Sequence, residues 1–454
     1  MRTFIMRRLS PALLSASLAA AGFTGCSDDD KGTTPLRDSG PGTPGADSGV
    51  PDAGRSMDGG GTLLDASLDA TAPGDAGIPA VTAVSSPAAD LRVTVNLLLG
   101  EHLILAAKAT GAALGGAARA NEFMAYGAAL NKNGVDLGDL VGKAYGDAAK
   151  TAFNGLWSAH NGFFVDYTKG VAANDAAMKT AAVTNLTTMY VPQFSTLIAT
   201  ATGLPMTAVQ DLVMTHVTTT KAIVDAQGAS DWPGTYTAIR AAFAHMKMLG
   251  DPIAKSAAGK LALAGDIDAK SVGFRVDLNQ LLQEHLYLAS FATDAAIQGR
   301  AATEFPAANT ALSANGTDIG KALNGLYGSA VETAFNGVWS AHNGYFVAYT
   351  LGVATPDAAK AMTAVTDLTT KYVPDFTALL QQATDVPAAT WTNGVTQHVL
   401  TTKAVVDAQY LAQTTPSAAN STAAVMNDLL AGKHMAMLGN PLAIAIVTKL
   451  PGKF

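Results

Sequence analysis

A single cysteine, Cys26, in 454 residues leaves the rest of the chain without a disulfide and without a thiolate to offer a metal. Stability then has to come from packing. Charged side chains make up only 14% of the sequence, the net charge is −7, and lysine and arginine form no cluster, so nucleic acid is not an expected partner. Aromatic residues are sparse throughout and missing altogether between positions 27 and 86. Beyond the N-terminus no run reaches 18 consecutive apolar residues, and no further membrane span is expected. The familiar metal and nucleophile signatures are missing as well. There is no HExxH, no Glu-x-x-His pair of the di-iron type, no EF-hand loop, no CxxCH and no nucleophile elbow. The one glycine run, Gly59-Gly-Gly61, comes after no strand and is not a phosphate loop.

Residues 1–26 read as an export signal. Arg2, Arg7 and Arg8 form a basic head, Pro11 to Phe23 an apolar stretch too short to span a bilayer as an ordinary helix, and Thr24 and Gly25 precede Cys26. The pattern resembles a bacterial lipoprotein signal, which implies that Cys26 carries the lipid that holds the chain to a membrane. An ordinary secretory signal with an incidental cysteine is the alternative, and both export the protein. Ser27 after the cysteine, by the same resemblance, implies an outer-membrane lipoprotein facing the periplasm or the exterior. Residues 27–86 are dominated by Asp, Gly, Pro, Ala, Ser and Thr, which cannot bury enough apolar surface to offset their ordering entropy; a disordered tether is expected.

Beyond the tether the sequence is doubled. Phe153-Asn-Gly-Leu-Trp-Ser-Ala-His160-Asn-Gly-Phe-Phe returns as Phe335-Asn-Gly-Val-Trp-Ser-Ala-His342-Asn-Gly-Tyr-Phe. Apolar residues recur at spacings of three and four, which predicts an all-α fold: two tandem helical bundles, 87–260 and 272–454. In the first copy the pattern and its punctuation predict helices near 89–114, 117–131, 137–170, 176–202, 206–227 and 235–256. Breaks are expected at Gly115-Gly116, Asn133-Gly134, Ala173-Asn174-Asp175, Gly203-Leu-Pro205 and Trp232-Pro233-Gly234, with a kink at Asn161-Gly162.

All eight histidines fall at matching places in the two copies. His102, His160, His216 and His245 answer to His285, His342, His398 and His434, at separations of 183, 182, 182 and 189 residues. Each lies on the apolar stripe of a different predicted helix. A lone histidine on such a stripe is usually a hydrogen-bonded core residue. Four on four helices predict a buried metal site in each copy instead, because burial keeps imidazole neutral and ready to ligate. Imidazole donors without thiolate suit copper or zinc first, then iron, with noncovalent haem between two histidines a further alternative. Glu101 and Glu284, next to the first histidine of each copy, are candidates to orient an imidazole from outside the coordination shell. Glu122 and Glu304 read as solvated. Asp225 and Asp407, two and a half turns beyond the third histidine, read as structural.

The succession Leu-Leu-x-Glu-His-x-x-Leu-Ala, Trp-x-x-His, His-Val and His-Met-x-Met, ending in Pro451-Gly-Lys-Phe454, is similar to exported helical domains of spore-forming bacteria. Those domains often stand beside copper amine oxidase N-terminal-like domains and share their name. The resemblance implies an extracytoplasmic helical protein and no particular activity; the quinone-cofactor motif Asn-Tyr-Asp/Glu-Tyr is missing here. Three functions remain open: a metal-binding, buffering or small redox protein, a structural or interaction module of the cell envelope whose core histidines bind no metal, and a metalloenzyme or haem protein.

Overall fold

The computed structural model describes residues 83–300 and 302–454. The signal segment, Cys26 and the tether up to residue 82 lie outside the described residues. The described part is all α, without strands among those residues. Six helices form the first repeat: α1 Pro87–Leu114, α2 Ala120–Tyr145, α3 Asp147–Ala172, α4, α5 Met206–Gly228 and α6 Trp232–Lys260. Helix α4 runs from Ala176–Thr184 through a π-helical Asn185–Tyr190 into Val191–Thr202. The second repeat has the same order as α7 Lys270–Ile297, α8 Phe305–Tyr327, α9 Ser329–Ala354, α10, α11 Ala388–Thr414 and α12 Ala418–Lys449. Helix α10 likewise joins Ala358–Asp367 to Val373–Thr384 through π-helical Leu368–Tyr372.

Local chemistry sets most boundaries. The Ser86 hydroxyl accepts from the Ala89 amide and Pro87 occupies the first turn of α1, a strong start signal. Asp175 and Asp231 cap α4 and α6 in the same way. Gly203, with φ of 74°, ends α4 in the left-handed region, and Asp385 takes that conformation at the end of α10.

One expected break is misplaced. Helix α2 runs straight through Asn133-Gly134 and ends instead at Gly146, whose φ of 90° no ordinary residue adopts easily; Gly328 does the same at 88°. Asn133 is buried, and its amide donates to the Leu98 carbonyl and to Glu101, both at 3.0 Å. Gly134 is there for closeness: a Cβ on it would stand 2.7 Å from Trp157 Cδ1. A pair that reads as a turn is a helix–helix contact. Helix α3 also continues through the expected kink at Asn161-Gly162.

The expected tether ends earlier than residue 86. Ala83–Ser85 form a short 3₁₀ turn with Val84 fully buried, and the Val84 carbonyl accepts from Arg275 at 2.7 Å. In the other repeat the Ile267 carbonyl accepts from Arg92 at 2.9 Å. Val84 therefore belongs to the repeat rather than to the linker.

Both repeats belong to one compact unit. Helix α1 packs on α7, α6 on α8, and α12 on α2, an exchange of like surfaces between the copies. Helices α1 and α7 are consequently covered on nearly every side, by their own bundle and by the other copy, and are buried around most of their circumference rather than along one stripe. Helices α1 and α12 are long and apolar enough to cross a membrane by length and composition, with 78% and 56% of their most apolar windows buried inside the bundle.

The seam between copies holds buried ions. Lys108 Nζ donates to Asp428 at 2.8 Å and to Ser290 at 2.6 Å, and Tyr126 donates to the same carboxylate at 2.7 Å. The like positions in the other copy are Phe291 and Ile239, so this pair breaks the symmetry of the seam.

Candidate metal centre

Three histidines, not four, converge in each repeat. His102 from α1, His160 from α3 and His216 from α5 bring one ring nitrogen each within 4.8 Å of the others, and His285, His342 and His398 do the same in the second copy. All six are buried. Ring centroids in the first triad stand 5.4 to 6.0 Å apart, and 5.3 to 6.3 Å in the second.

The fourth histidine of each copy has gone elsewhere. His245 Nε2 lies 2.9 Å from the Leu212 carbonyl and His434 Nε2 lies 2.9 Å from the Gly394 carbonyl. Each ties α6 or α12 to the helix before it. These two show the ordinary behaviour of a core histidine, and the expected four-imidazole site becomes a three-imidazole one.

The triads behave otherwise. His160 Nδ1 lies 2.5 Å from the Trp157 carbonyl, which can only accept, so Nδ1 carries the proton and Nε2 is left with its lone pair. His342 repeats this against Trp339 at 2.6 Å. Each of the six triad rings keeps one buried nitrogen with no hydrogen-bond partner: Nδ1 of His102 and His285, and Nε2 of His160, His216, His342 and His398. An orphaned buried polar atom costs about 1–3 kcal/mol. Three buried rings that each leave a nitrogen unpaired, and that bring a ring nitrogen of each within 4.8 Å of the others, form a cluster that a cation would satisfy.

Aromatic rings hold the imidazoles in place. Tyr190 stacks on His160 with centroids 4.6 Å apart, and Trp157 lies against both His102 and His160 at 4.5 and 4.7 Å. Tyr190 is the last residue of the π-helical turn, and Tyr372 is the last residue of its counterpart, stacking on His342 at 4.6 Å. The extra residue of a π turn shifts the face of the helix, which brings the ring over the imidazole.

Burial keeps the triads neutral. It pushes His160 and His342 down to about 4 and His216 to about 3. His102, His285 and His398 fall well below the ordinary imidazole value, through burial first and the repulsion of neighbouring imidazoles second. Neutral imidazole is the ligating form.

The glutamates do not serve the imidazoles. Glu101 is buried, held by Asn133 and raised above its ordinary value by burial. Glu284 forms an ion pair with Arg240 of the other repeat at 2.9 Å and accepts from Asn315 at 2.7 Å. Both belong to the seam, because one residue further round the helix from the histidine is the side that faces the other copy. Glu304, predicted to lie on a solvated face, is buried too, accepting from Tyr236 at 2.7 Å and from Arg300 at 2.5 Å. Glu122 pairs with Arg119 in the same network. Asp225 and Asp407 are structural, accepting from Tyr167 and Tyr349 and from Lys221 and Lys403. Trp157, Tyr190 and Gly134 go unrecognised from sequence as parts of the centre; the Trp-x-x-His spacing is the available signal.

One side of the first triad opens on a chamber of about 30 Å³, lined by all three histidines together with Ala106, Ala109, Thr110, Phe164, Thr168 and Thr220 among others. Every residue of that lining recurs unchanged in the second copy, as Ala289, Ala292, Thr293, Phe346, Thr350 and Thr402 for those named. Comparison with protein-family models, with curated proteins and with solved structures finds no match to this chain.

Proposed function

We propose that this protein is an exported metal-binding protein with two like centres, each holding one transition-metal ion on three buried imidazoles. The observation that carries the reading is a set of three buried imidazoles, each with one unpartnered ring nitrogen and each bringing a ring nitrogen within 4.8 Å of the others, built twice from the same residue types on the same helices. Three neutral nitrogens without thiolate suit zinc or copper, with metal–nitrogen bonds of roughly 2.0–2.1 Å. Rings whose nitrogens start within 4.8 Å need to draw in by about an ångström to reach that geometry.

The basic head, apolar stretch and Cys26 support export and a lipid anchor, and the similarity to exported helical domains supports an extracytoplasmic setting. The role that fits is metal holding or buffering, or a small redox task. A second reading, a metalloenzyme, is favoured by one feature: three protein ligands leave a coordination position, and the chamber touching all three histidines is where a small exchangeable ligand would sit. A structural envelope module is what His245 and His434 alone would suggest.

The test is elemental analysis and an absorption spectrum of the full chain, purified without a His tag or added metal. Two metal ions per chain are expected, one remaining after His102→Ala and none after His102→Ala with His285→Ala. His245→Gln should leave the content at two. A metal-free chain that takes up neither zinc nor copper sinks the reading.

A further inference from the structure

A second cavity, of about 60 Å³, lies in the first repeat behind the triad and is walled by Leu99, Phe153, Val213, Met246 and other apolar side chains. His216 is the one residue that lines both this cavity and the chamber. The wall gives water little to hold: the Tyr145 hydroxyl is already bonded to Ser256 at 2.8 Å, Trp157, Tyr190 and His216 carry the other polar atoms, and most of the rest is aliphatic. An apolar cavity of roughly 150 Å³ stays dry and takes benzene or xenon. One less than half that size has no room for benzene and takes a single small apolar guest, a xenon atom or a diatomic gas.

The second repeat carries larger side chains around the same place. Leu91, Val95, Val141 and Ala257 of the wall correspond to Phe274, Leu278, Leu323 and Ile446, against one change in the other direction, Leu140 to Ala322. Phe274 is in addition covered by Phe454, their rings 5.0 Å apart. Enlarged side chains at four wall positions would take up the space that smaller ones leave in the first repeat.

We infer that the first repeat alone binds a small neutral gas of diatomic size, such as dioxygen, in this cavity, and presents it to its own triad past the His216 ring. Binding of the gas stands on the cavity; its delivery to a metal rests on the function proposed above. The repeats would then divide the work, one centre being supplied with a gaseous ligand and the other closed behind.

Xenon is the probe, read on the full chain through leucine and valine methyl NMR signals. Methyls of Val95, Leu99 and Val213 should move with xenon pressure and saturate, while those of Leu278, Leu282 and Val395 stay. Paramagnetic broadening of the same methyls by dioxygen should show the same pattern. Replacing Val95→Leu and Ala257→Ile, the residues the second repeat carries, should abolish the shifts and leave metal content unchanged. Ile446→Ala should create a responding site in the second repeat, a check that does not depend on the filled variant. No shift in the wild type, equal shifts in both repeats, or shifts that survive the filled variant would overturn the inference. A metal-free protein that still binds xenon in the first repeat would refute the metal centre and leave the gas site standing.

Discussion

On the chamber side of the histidines the two repeats are alike residue for residue, whereas on the side behind them they have drifted apart in volume. Aliphatic core positions tolerate substitutions that keep the total volume, so the drift behind the triads is ordinary for a duplicated bundle. The chamber lining includes alanines and threonines that cores exchange as readily, and there the copies have not drifted. The two copies thus share, beyond the fold, the environment of three imidazoles. The fourth histidine sharpens the contrast, since it too occurs in both copies and yet finds a backbone carbonyl as partner. Repetition alone does not mark a candidate ligand; the imidazoles that recur in a converging cluster and each keep an unpartnered ring nitrogen are the candidates.

Acid should break the triads harder than any one substitution. Each triad histidine has a folded value below the 6.5 of the free side chain, so the unfolded chain takes up protons that the fold refuses. Stability is therefore complete above about pH 6.5 and is lost as the pH falls toward the folded values near 4 and 3. Each buried ring contributes up to ~1.4 kcal/mol per pH unit in that window. Urea unfolding between pH 7 and 5 should show a steep loss, and added zinc should move the loss to lower pH because metal binds the same neutral nitrogens. A flat profile over that window would mean that the rings are open to water.

Next in size is the seam. Removing one partner of the buried Lys108–Asp428 pair, by Lys108→Ala or Asp428→Ala, should cost roughly 3–5 kcal/mol, since it strands a charge at positions only 4% and 2% exposed. Lys108→Met with Asp428→Leu should recover much of that loss. If the seam holds the copies together, both triads lose metal at the same denaturant concentration in the single variants.

The fold was legible in the sequence as far as its signals are local. The helices, their number and most of their ends come from periodicity and caps, which act within a few residues. Asn133-Gly134 misled because turn chemistry is also local, while the demand on Gly134 is set by Trp157 one helix away. Helical faces correctly brought His102, His160 and His216 inward. They could not tell His245 apart, as its face is equally apolar and only the position of the Leu212 carbonyl decides its role. The glutamates failed for a related reason: with half of α1 facing the second copy, an inward residue has two interiors to choose from. The π turns left no mark that periodicity could detect.

Gly134→Ala and Gly316→Ala test whether the tryptophan contact serves the triads equally. Alanine is the better helix former by about 1 kcal/mol. Its methyl would stand 2.7 Å from Trp157 Cδ1, or 2.8 Å from Trp339 Cδ1. Each indole is wedged between a phenylalanine and two imidazoles, so it cannot yield without moving the triad. Overpacking costs about 1–3 kcal/mol, which leaves a net loss of roughly 1 kcal/mol in unfolding free energy together with weaker metal retention in the altered repeat alone. Equal weakening of both centres by one substitution would show that the centres are coupled through the seam rather than built independently.

The smallest effect should come where the copies have solved one problem in two ways. Arg92 reaches the Ile267 carbonyl and is oriented by Asp251 of its own repeat, at 2.9 and 2.7 Å. Arg275 makes the matching bond to the Val84 carbonyl with Asn440 in place of that aspartate, and takes its charge partner from the other copy, Asp90 at 2.7 Å. Asp251→Asn turns the first arrangement into the second without its substitute carboxylate, since Gly273 stands where Asp90 would recur. Asn96 and Arg92 keep an oxygen to donate to, and the pair is partly exposed, so the cost should be no more than about 1 kcal/mol and should shrink in high salt. Asp90→Asn, by contrast, removes the carboxylate paired with an arginine that is 6% exposed, and its cost should be larger and less sensitive to salt. Equal losses in the two variants, measured by urea unfolding at low and high salt, would show that the carboxylates merely orient the arginines toward Ile267 and Val84, and that their placement in one copy or the other is without energetic consequence.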